Sequence, residues 1–154
     1  MTRPPPPPVR HCTITGTPGN DIIRATPRDD VICAGAGNDV VYGGGGNDKI
    51  YGGGGNDILR GEGGNERIYG GGGDDIVRGG SGDDRLSGGD GDDQVIGGDG
   101  ADRLFGGSGR DILSGQDGRD YLNTRDSSGG NDIANGGAGA DSCETDRRDT
   151  RSSC

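Results

Sequence analysis

Hydrophobic and polar positions recur along this chain with a period of nine residues. In GGGGNDKIYGGGGNDILRG, from Gly43 to Gly61, each run of four glycines is followed by Asn-Asp and then by a short apolar segment. The period begins at Gly16 and continues for twelve units without a slip, over residues 16–123. Three extra residues, 124–126, follow, and two more units occupy residues 127–144. A flexible linker needs no such register, so the period predicts a repeat structure.

The eighth position of each unit predicts the core. It is aliphatic in the first twelve units, at Ile23, Ile32, Val41, Ile50, Leu59, Ile68, Val77, Leu86, Val95, Leu104, Leu113 and Leu122, and weakens to Ala134 and Cys143. Because strand side chains alternate, we expect a three-residue strand with the eighth residue inward and its neighbours outward. Six residues then turn the chain, with glycines at positions one, two and four that permit positive φ and close approach of backbones.

Composition and charge narrow the function. The 154 residues include 38 Gly, with 25% hydrophobic and 3% aromatic residues, which without the period would favour disorder. The net charge of −10 argues against a nucleic-acid partner. No apolar run approaches the roughly 18 residues of a membrane span. An acidic chain that folds must space or neutralise its carboxylates, and metal cations are the obvious means.

The sixth position supplies those carboxylates, because it is acidic in all fourteen units. One set of alternate units carries Asp21, Asp39, Asp57, Asp75, Asp93, Asp111 and Asp132, and the other carries Asp30, Asp48, Glu66, Asp84, Asp102, Asp120 and Asp141. Calcium takes about six to eight oxygen ligands, which carboxylates and inward-facing turn carbonyls can provide.

These units resemble the nonapeptide calcium-binding repeats of the RTX, or hemolysin-type, family, whose pattern is Gly-Gly-x-Gly-x-Asp-x-apolar-x. The resemblance implies an all-β, right-handed parallel β-roll in which two units form one coil, with about seven coils in all. It also implies several calcium ions, each bound between the neighbouring loops of units i and i+2. The short array bracketed by cysteines further resembles secreted actinobacterial members of this family.

The resemblance assigns calcium ligands to two groups of residues. The carboxylates are Asp21, Asp39, Asp48, Asp57, Glu66, Asp75, Asp84, Asp93, Asp102, Asp111, Asp120, Asp132 and Asp141. The loop backbone oxygens are those of Gly43, Gly45, Gly52, Gly54, Gly70, Gly72, Gly79, Gly88, Gly97 and Gly106. Asp30 is omitted because its unit, ATPRDD, lacks the three glycines. We expect the longer Glu66 to alter its sites and the insertion 124–126 to interrupt one edge between Asp111 and Asp132.

Calcium is then expected to drive folding. Bare carboxylates stacked at a strand spacing of about 4.8 Å repel one another, and ordering glycine costs entropy. With calcium bound, the free energy of binding becomes free energy of folding.

The two outer faces of such a coil differ at the seventh position. One carries an aliphatic stripe, at Ile22, Val40, Ile58, Ile76, Ile112 and Ile133, and the other a basic row, at Lys49, Arg67, Arg85 and Arg103. The stripe is explained either by simple β-propensity or by self-association or a protein partner. The basic row is explained either by a solvated face that offsets the acidic loops or by an anionic partner such as a polysaccharide.

The four cysteines lie at the ends of the array. Ligation of a metal by sulfur is disfavoured, because no C-x-x-C occurs and calcium prefers oxygen. In a coil of two units Cys33 stacks above Thr15, near Cys12, so we expect disulfides Cys12–Cys33 and Cys143–Cys154, with free thiols as the alternative. Disulfides indicate an oxidising, extracellular location. The N-terminus lacks the apolar segment of a signal peptide, which leaves open prior removal or another export route.

Three classes of function follow. The first is a secreted calcium-binding protein that folds on calcium, and the second is a structural or adhesion module in which calcium is only a scaffold ion. The third is an enzyme, which we do not expect, because the chain has no nucleophile or zinc motif and its single histidine, His11, is in the N-terminal arm. The predicted organisation is a Pro-rich arm (1–11), a repeat domain (12–144) and a C-terminal capping tail (145–154).

Overall fold

The computed structural model describes residues 11–126 and 130–154, so of the predicted Pro-rich arm only His11 lies within the described residues. The regular elements of these two ranges are all strands: β1 (Ile14–Thr15), β2 (Ile22–Arg24), β3 (Val31–Ala36), β4 (Val40–Gly45), β5 (Lys49–Gly54), β6 (Ile58–Gly63), β7 (Arg67–Gly72), β8 (Ile76–Ser81), β9 (Arg85–Asp90), β10 (Gln94–Gly100), β11 (Arg103–Ser108), β12 (Ile112–Gly118), β13 (Tyr121–Asn123), β14 (Ile133–Gly139), β15 (Ser142–Glu144) and β16 (Thr150–Ser152). Within them, no helix is present that could cross a membrane.

The strands form two parallel sheets that the chain visits alternately. One sheet has the order β1-β3-β5-β7-β9-β11-β13-β15 and carries the basic row, so we call it the basic sheet. The other has the order β16-β14-β12-β10-β8-β6-β4-β2 and carries the aliphatic stripe, so we call it the aliphatic sheet. Strand partners such as Ile50 and Ile68 are two units apart. This arrangement confirms a parallel β-roll with two units per coil.

Each sheet has eight strands, against the seven or so coils expected from the repeats. The additional strands are β1 and β16, which lie outside the nine-residue array and pair with β3 and β14. The roll therefore extends at both ends beyond the segment that the period defines.

The strands are longer than predicted. Eleven of the sixteen contain six or seven residues, as in β5, which continues from the apolar positions of one unit into the glycines of the next. Gly53 pairs with Gly71 in the same register as the residues before it. The prediction of a three-residue strand and a six-residue turn is wrong, because ladder hydrogen bonds use only the backbone and glycine can make them. The turn is confined to about positions four to six.

The core is the predicted column of eighth-position side chains. The buried hydrophobic residues are Ile23, Ile32, Ala34, Val41, Ile50, Leu59, Ile68, Val77, Leu86, Val95, Leu104, Leu113, Leu122 and Ala134. Only Ala34 comes from another position, the first of its unit, and Cys143 packs partly buried against the column. Burying one such aliphatic side chain contributes about 1.5–3 kcal/mol. One side chain per unit is a thin core, so the rest of the interior is formed by first-position residues and sixth-position carboxylates.

Disulfides close both ends of the roll. Cys12 is bonded to Cys33 and Cys143 to Cys154, the same two pairs that the sequence favoured. The first bond ties the segment before β1 to β3, and the second ties β15 to the end of the chain. Cross-links of this kind typically contribute about 2–4 kcal/mol, and here they act where a solenoid frays.

The insertion 124–126 does not interrupt the edge of the roll, contrary to expectation. The backbone N–H of Asp111 donates to the Asp132 carboxylate at 2.8 Å, and β12 pairs continuously with β14. The extra residues are accommodated after β13, where the N–H of Thr124 donates to the Glu144 carbonyl at 3.0 Å. The Thr124 side chain is buried, so the insertion packs against the C-terminal tail.

Candidate metal centre

The sixth-position carboxylates stack in two rows, one along each edge of the roll. From Asp39 to Asp132 every one of them is at most 3% exposed. Each row is joined by the backbone: the N–H of Asp57 donates to Asp75 Oδ1 and that of Asp84 to Asp102 Oδ1, both at 2.8 Å. Except at Glu66, one oxygen of each such carboxylate thus links two coils. This link, which the sequence did not predict, offsets part of the repulsion between neighbouring carboxylates.

The second carboxylate oxygen has no such partner in the interior of the roll. Within the described residues, buried side-chain oxygens without a hydrogen bond belong to Asp39, Asp48, Asp57, Glu66, Asp75, Asp84, Asp93, Asp102, Asp111, Asp120 and Asp141. An unpaired buried carboxylate oxygen costs several kcal/mol, so a native protein does not leave a row of them without compensation.

From Asp48 onward, these oxygens lie against the first-position glycines. A Cβ added to Gly43 would lie 2.7 Å from Asp48 Oδ2 and 2.7 Å from the carbonyl oxygen of Gly61. Added to Gly79, it would lie 2.7 Å from the Gly97 carbonyl oxygen and would overlap Asp84 Oδ2. Each glycine therefore opens onto a small cradle lined by a carboxylate of unit i and a carbonyl of unit i+2.

The two purposes predicted for the glycines are divided between their positions. Positive φ occurs at the second and fourth positions, as at Gly53 and Gly55, but not at the first. The first position instead shows the other predicted purpose, the close approach of a neighbouring backbone. Glycine is needed there because the cradle oxygens occupy the space of a side chain.

The predicted backbone ligands fall into three groups. The carbonyls of Gly70, Gly79, Gly88 and Gly97 face cradles, and so do those of Gly61, Gly115 and Gly136, which the sequence analysis did not select. The third-position carbonyls of Gly54 and Gly72 instead accept hydrogen bonds from the N–H groups of Gly37 and Gly55 at 2.8 Å. The remaining predicted backbone ligands are Gly43 and Gly45 in strand β4, Gly52 in β5 and Gly106 in β11.

Burial makes the interior carboxyls unusually weak acids. Removal from water raises the pKa of Asp93 and Asp102 to about 7 and that of Asp48, Asp75 and Asp111 to about 6. The N–H bond from the preceding coil lowers each pKa in part, and neighbouring carboxylates raise it. The pKa values of Asp57, Asp84, Asp120 and Asp132 are raised by the same main cause. These carboxyls are therefore only partly ionised near neutral pH, and a bound cation would favour their charged form.

Glu66 departs from the row, as its extra methylene suggested. Its N–H donates to Asp84 Oδ1 at 2.7 Å, but within the described chain both of its carboxylate oxygens lack a hydrogen-bond partner. Burial raises the pKa of Glu66, and the adjacent Asp84 carboxylate raises it further.

The N-terminal carboxylates are satisfied by the protein itself. Asp21 Oδ2 accepts hydrogen bonds from the Thr17 N–H at 2.6 Å and the Thr17 hydroxyl at 2.9 Å. Asp30 Oδ2 accepts from the Thr26 N–H at 3.0 Å and the Thr26 hydroxyl at 2.7 Å. These bonds hold the pKa of Asp30 below its usual value, opposite to the shift in the interior.

A further carboxylate, Asp149, continues one row at the C-terminal end. Its Oδ1 accepts from the N–H of Asp132 at 3.3 Å, while its Oδ2 accepts from the Thr124 hydroxyl at 2.9 Å and the Asp146 N–H at 2.6 Å. Sequence analysis missed Asp149 because it follows Asp141 by eight residues instead of nine, in a segment without glycine. The available signal was Asp followed by strand-forming residues at the expected end of one more unit.

A second polar ladder, at the fifth position, was also missed. Side-chain oxygens there accept hydrogen bonds from the fifth-position N–H two units later, as in the 2.8 Å bond from Asn56 to Asn38. The acceptors are Asn20, Asp29, Asn38, Asn47, Asn56, Asn65, Asp74, Asp83 and Asp92. The signal was Asn or Asp at this position in nine consecutive units. These exposed side chains brace the turns that position the carboxylates.

Comparison with family models gives a match to the RTX calcium-binding nonapeptide repeat at residues 15–50, 24–59, 42–77, 60–95, 96–126 and 126–147. These segments span most of the chain, which therefore belongs to the RTX calcium-binding repeat family. The family implies calcium binding by a structural β-roll, and it is not a family of enzymes. A comparison with curated proteins found no match.

Proposed function

We propose that this protein binds several calcium ions in its two rows of cradles and that calcium completes its fold. The observation that supports this most directly is the buried carboxylate oxygen without a partner, repeated coil after coil. Calcium fits the donor set, because it is a hard cation that prefers carboxylate and carbonyl oxygens. The ion would neutralise the carboxylates and make the cradles stable.

The predicted ligands are expected to contribute unequally. The interior carboxylates from Asp39 onward would hold the ions together with the cradle carbonyls. Asp21 would contribute least among the predicted carboxylates, because Thr17 already occupies its second oxygen. Sites at Glu66 would differ from their neighbours, since its side chain does not take the position of an aspartate in the row.

Binding and folding would be coupled through the same atoms. Without the ion, repulsion between carboxylates, their desolvation and the entropy of the glycines all oppose the roll. With the ion, the free energy of calcium binding adds to the stability of the folded state alone. The disulfides and the tail would hold the two ends together, and they suit the oxidising conditions outside a cell, where we place this protein.

Isothermal titration calorimetry of the oxidised protein tests calcium binding, with magnesium as the matched control. We expect uptake of several calcium ions and no comparable binding of magnesium, which demands a tighter octahedral site. Absence of calcium binding even at extracellular concentrations would contradict the proposal.

The aliphatic stripe supports a second candidate function, a module that assembles with itself and uses calcium only as a scaffold ion. Ile22 is 74% exposed, Ile112 45% and Ile133 44%. Sedimentation velocity of the calcium-loaded protein over a range of concentrations tests this. Self-association that is lost in the double variant Ile112→Thr/Ile133→Thr would support it, and a monomer at all concentrations would exclude it.

A further inference from the structure

The basic row is a costly arrangement because it places like charges side by side. Lys49, Arg67, Arg85 and Arg103 are exposed and lie directly opposite one another on adjacent strands. Like charges in such pairs are destabilising, and lysine is disfavoured in strands, so β-propensity does not explain the row. Among the described residues the ion pairs are Arg110–Asp92 and Arg125–Glu144, neither of which includes a member of the row. A face that merely offset the acidic loops would be expected to pair with them.

Aromatic rings accompany the basic row. Four of the five aromatic residues of the chain lie on the basic sheet: Tyr51, Tyr69, Phe105 and Tyr121. The rings of Tyr51 and Tyr69 stack with centroids 5.2 Å apart, and the Arg85 guanidinium lies 4.7 Å from the centroid of Phe105. Large apolar rings next to a line of cations provide both packing and charge for a ligand.

The small Ser87 interrupts this aromatic column. It pairs with Tyr69 on one side and with Phe105 on the other, so two rings flank a space one strand wide. Arg67, Arg85 and Arg103 line the same three strands. The Arg85 guanidinium lies over the Phe105 ring, so a cation stands between the two rings on this strand.

The strands continue past the aromatic residues as bare backbone. At Gly54 and Gly72 an added Cβ would meet nothing within 4 Å, and neither residue has positive φ. Neither packing nor backbone conformation therefore requires glycine there. The result is a flat strip without side chains beside Tyr51 and Tyr69.

We propose that this surface binds a linear polyuronate, a polysaccharide with one carboxylate on each sugar ring. The row offers one cation per strand, at a spacing of about 4.8 Å that is comparable to the length of one sugar ring. Arginine binds carboxylates through two parallel hydrogen bonds, and aromatic faces pack against the apolar faces of sugars. The inference rests on the sheet and not on the calcium sites.

The test is binding of short oligogalacturonates to the calcium-loaded protein, followed by tyrosine fluorescence, since the chain has no tryptophan. The triple variant Arg67→Gln/Arg85→Gln/Arg103→Gln removes the centre of the row. Its matched control is Arg24→Gln/Arg60→Gln/Arg78→Gln, which removes three arginines from the aliphatic sheet. We expect roughly tenfold or greater loss of affinity in the first variant only, and weaker binding at high salt.

Three results would overturn the proposal: no binding by the unchanged protein, an equal loss in both triple variants, or tighter binding of heparin or single-stranded DNA than of oligogalacturonate. Calcium titrations of the same samples separate this inference from the calcium proposal, because loss of sugar binding with normal calcium uptake concerns the surface alone. Arg103→Gln, a single exposed change, replaces the triple variant if the latter does not fold.

Discussion

The two ends of the roll and its interior hold the same carboxylate in different ways. At the ends, Asp21, Asp30 and Asp149 receive a threonine hydroxyl and a backbone N–H on their second oxygen. In the interior, from Asp48 to Asp120, that oxygen is buried against a first-position glycine and has no partner among the described residues. The ends therefore satisfy their carboxylates with protein donors, and the interior carboxylates are the ones for which we propose a cation.

The difference originates at one position of the repeat at the N-terminal end. Thr17 and Thr26 occupy the second position of the first two units, where they can donate to the carboxylate of their own turn. In the interior this position has positive φ and is mostly glycine, as at Gly53. The second position of the unit thus provides a hydroxyl group at the N-terminal end of the roll and a glycine with positive φ in the interior.

The largest expected effect is that of pH on the calcium-free protein. Burial raises the pKa of the interior carboxyls to about 6 or 7 in the folded protein, whereas in the unfolded chain it is near 4. Protonation of these groups therefore stabilises the folded calcium-free protein. This stabilisation is complete below about pH 4 and is lost as pH rises through 6–7. We expect strand content in EDTA to increase from pH 8 to pH 5, measured by far-UV circular dichroism. Calcium affinity should change in the opposite sense, since protons compete for the same oxygens. Strand content in EDTA that is independent of pH would contradict this.

An interior carboxylate should matter far more than its exposed neighbour. Asp75→Asn removes one charge from a cradle, and we expect a loss of about 3–5 kcal/mol of calcium-loaded stability, as for one partner of a buried ion pair. Asp74→Asn makes the same change at an exposed fifth position, where Asn56 already serves the ladder, and should cost less than about 0.5 kcal/mol. Urea unfolding in calcium measures both, and equal effects would remove the distinction between the two ladders.

Removal of an end cap should have an intermediate effect that does not depend on calcium. Thr124→Val keeps the shape of the side chain but removes the hydroxyl that donates to Asp149, at an expected cost of about 1–3 kcal/mol. Thr150→Val, an exposed change on β16, is the control and should be nearly neutral. If the Thr124→Val cost appeared only with calcium bound, Asp149 would belong with the interior carboxylates.

The smallest effect concerns a second-position residue that is not glycine. Glu62 has a φ of 78°, a conformation that side chains adopt at a cost of about 1–3 kcal/mol. Glu62→Gly should raise the free energy of unfolding by about 1 kcal/mol, after the greater entropy of glycine in the unfolded chain is subtracted. Gln116→Gly, at a φ of 82°, should behave alike. A loss of stability in both variants would show that these side chains make compensating contacts.

The repetitive parts of the molecule were predictable from the sequence because one rule recurs in every unit. The eighth-position core, the two carboxylate rows and the two unlike faces all follow from a nine-residue period and the alternation of strand side chains. The family resemblance supplied the coil of two units, and the expected cysteine pairs are the ones that the structure joins.

The features that sequence analysis missed depend on backbone groups or on breaks in the period. The link from each N–H to the next carboxylate cannot be seen in residue types, and neither can the pairing of glycines that lengthens the strands. Sequence analysis did not find Asp149 because its segment is one residue shorter than the nine-residue unit. The tail nevertheless forms a further strand. The insertion was expected to interrupt one edge of the roll. Instead, its first residue, Thr124, donates a hydrogen bond to Asp149.

The most direct test of the central claim is far-UV circular dichroism of the oxidised protein during a calcium titration, with magnesium as control. We predict a cooperative gain of strand signal with calcium and none with magnesium at neutral pH. The same strand content in EDTA as in calcium would contradict the claim, because it would show that the interior carboxylates need no cation to be buried.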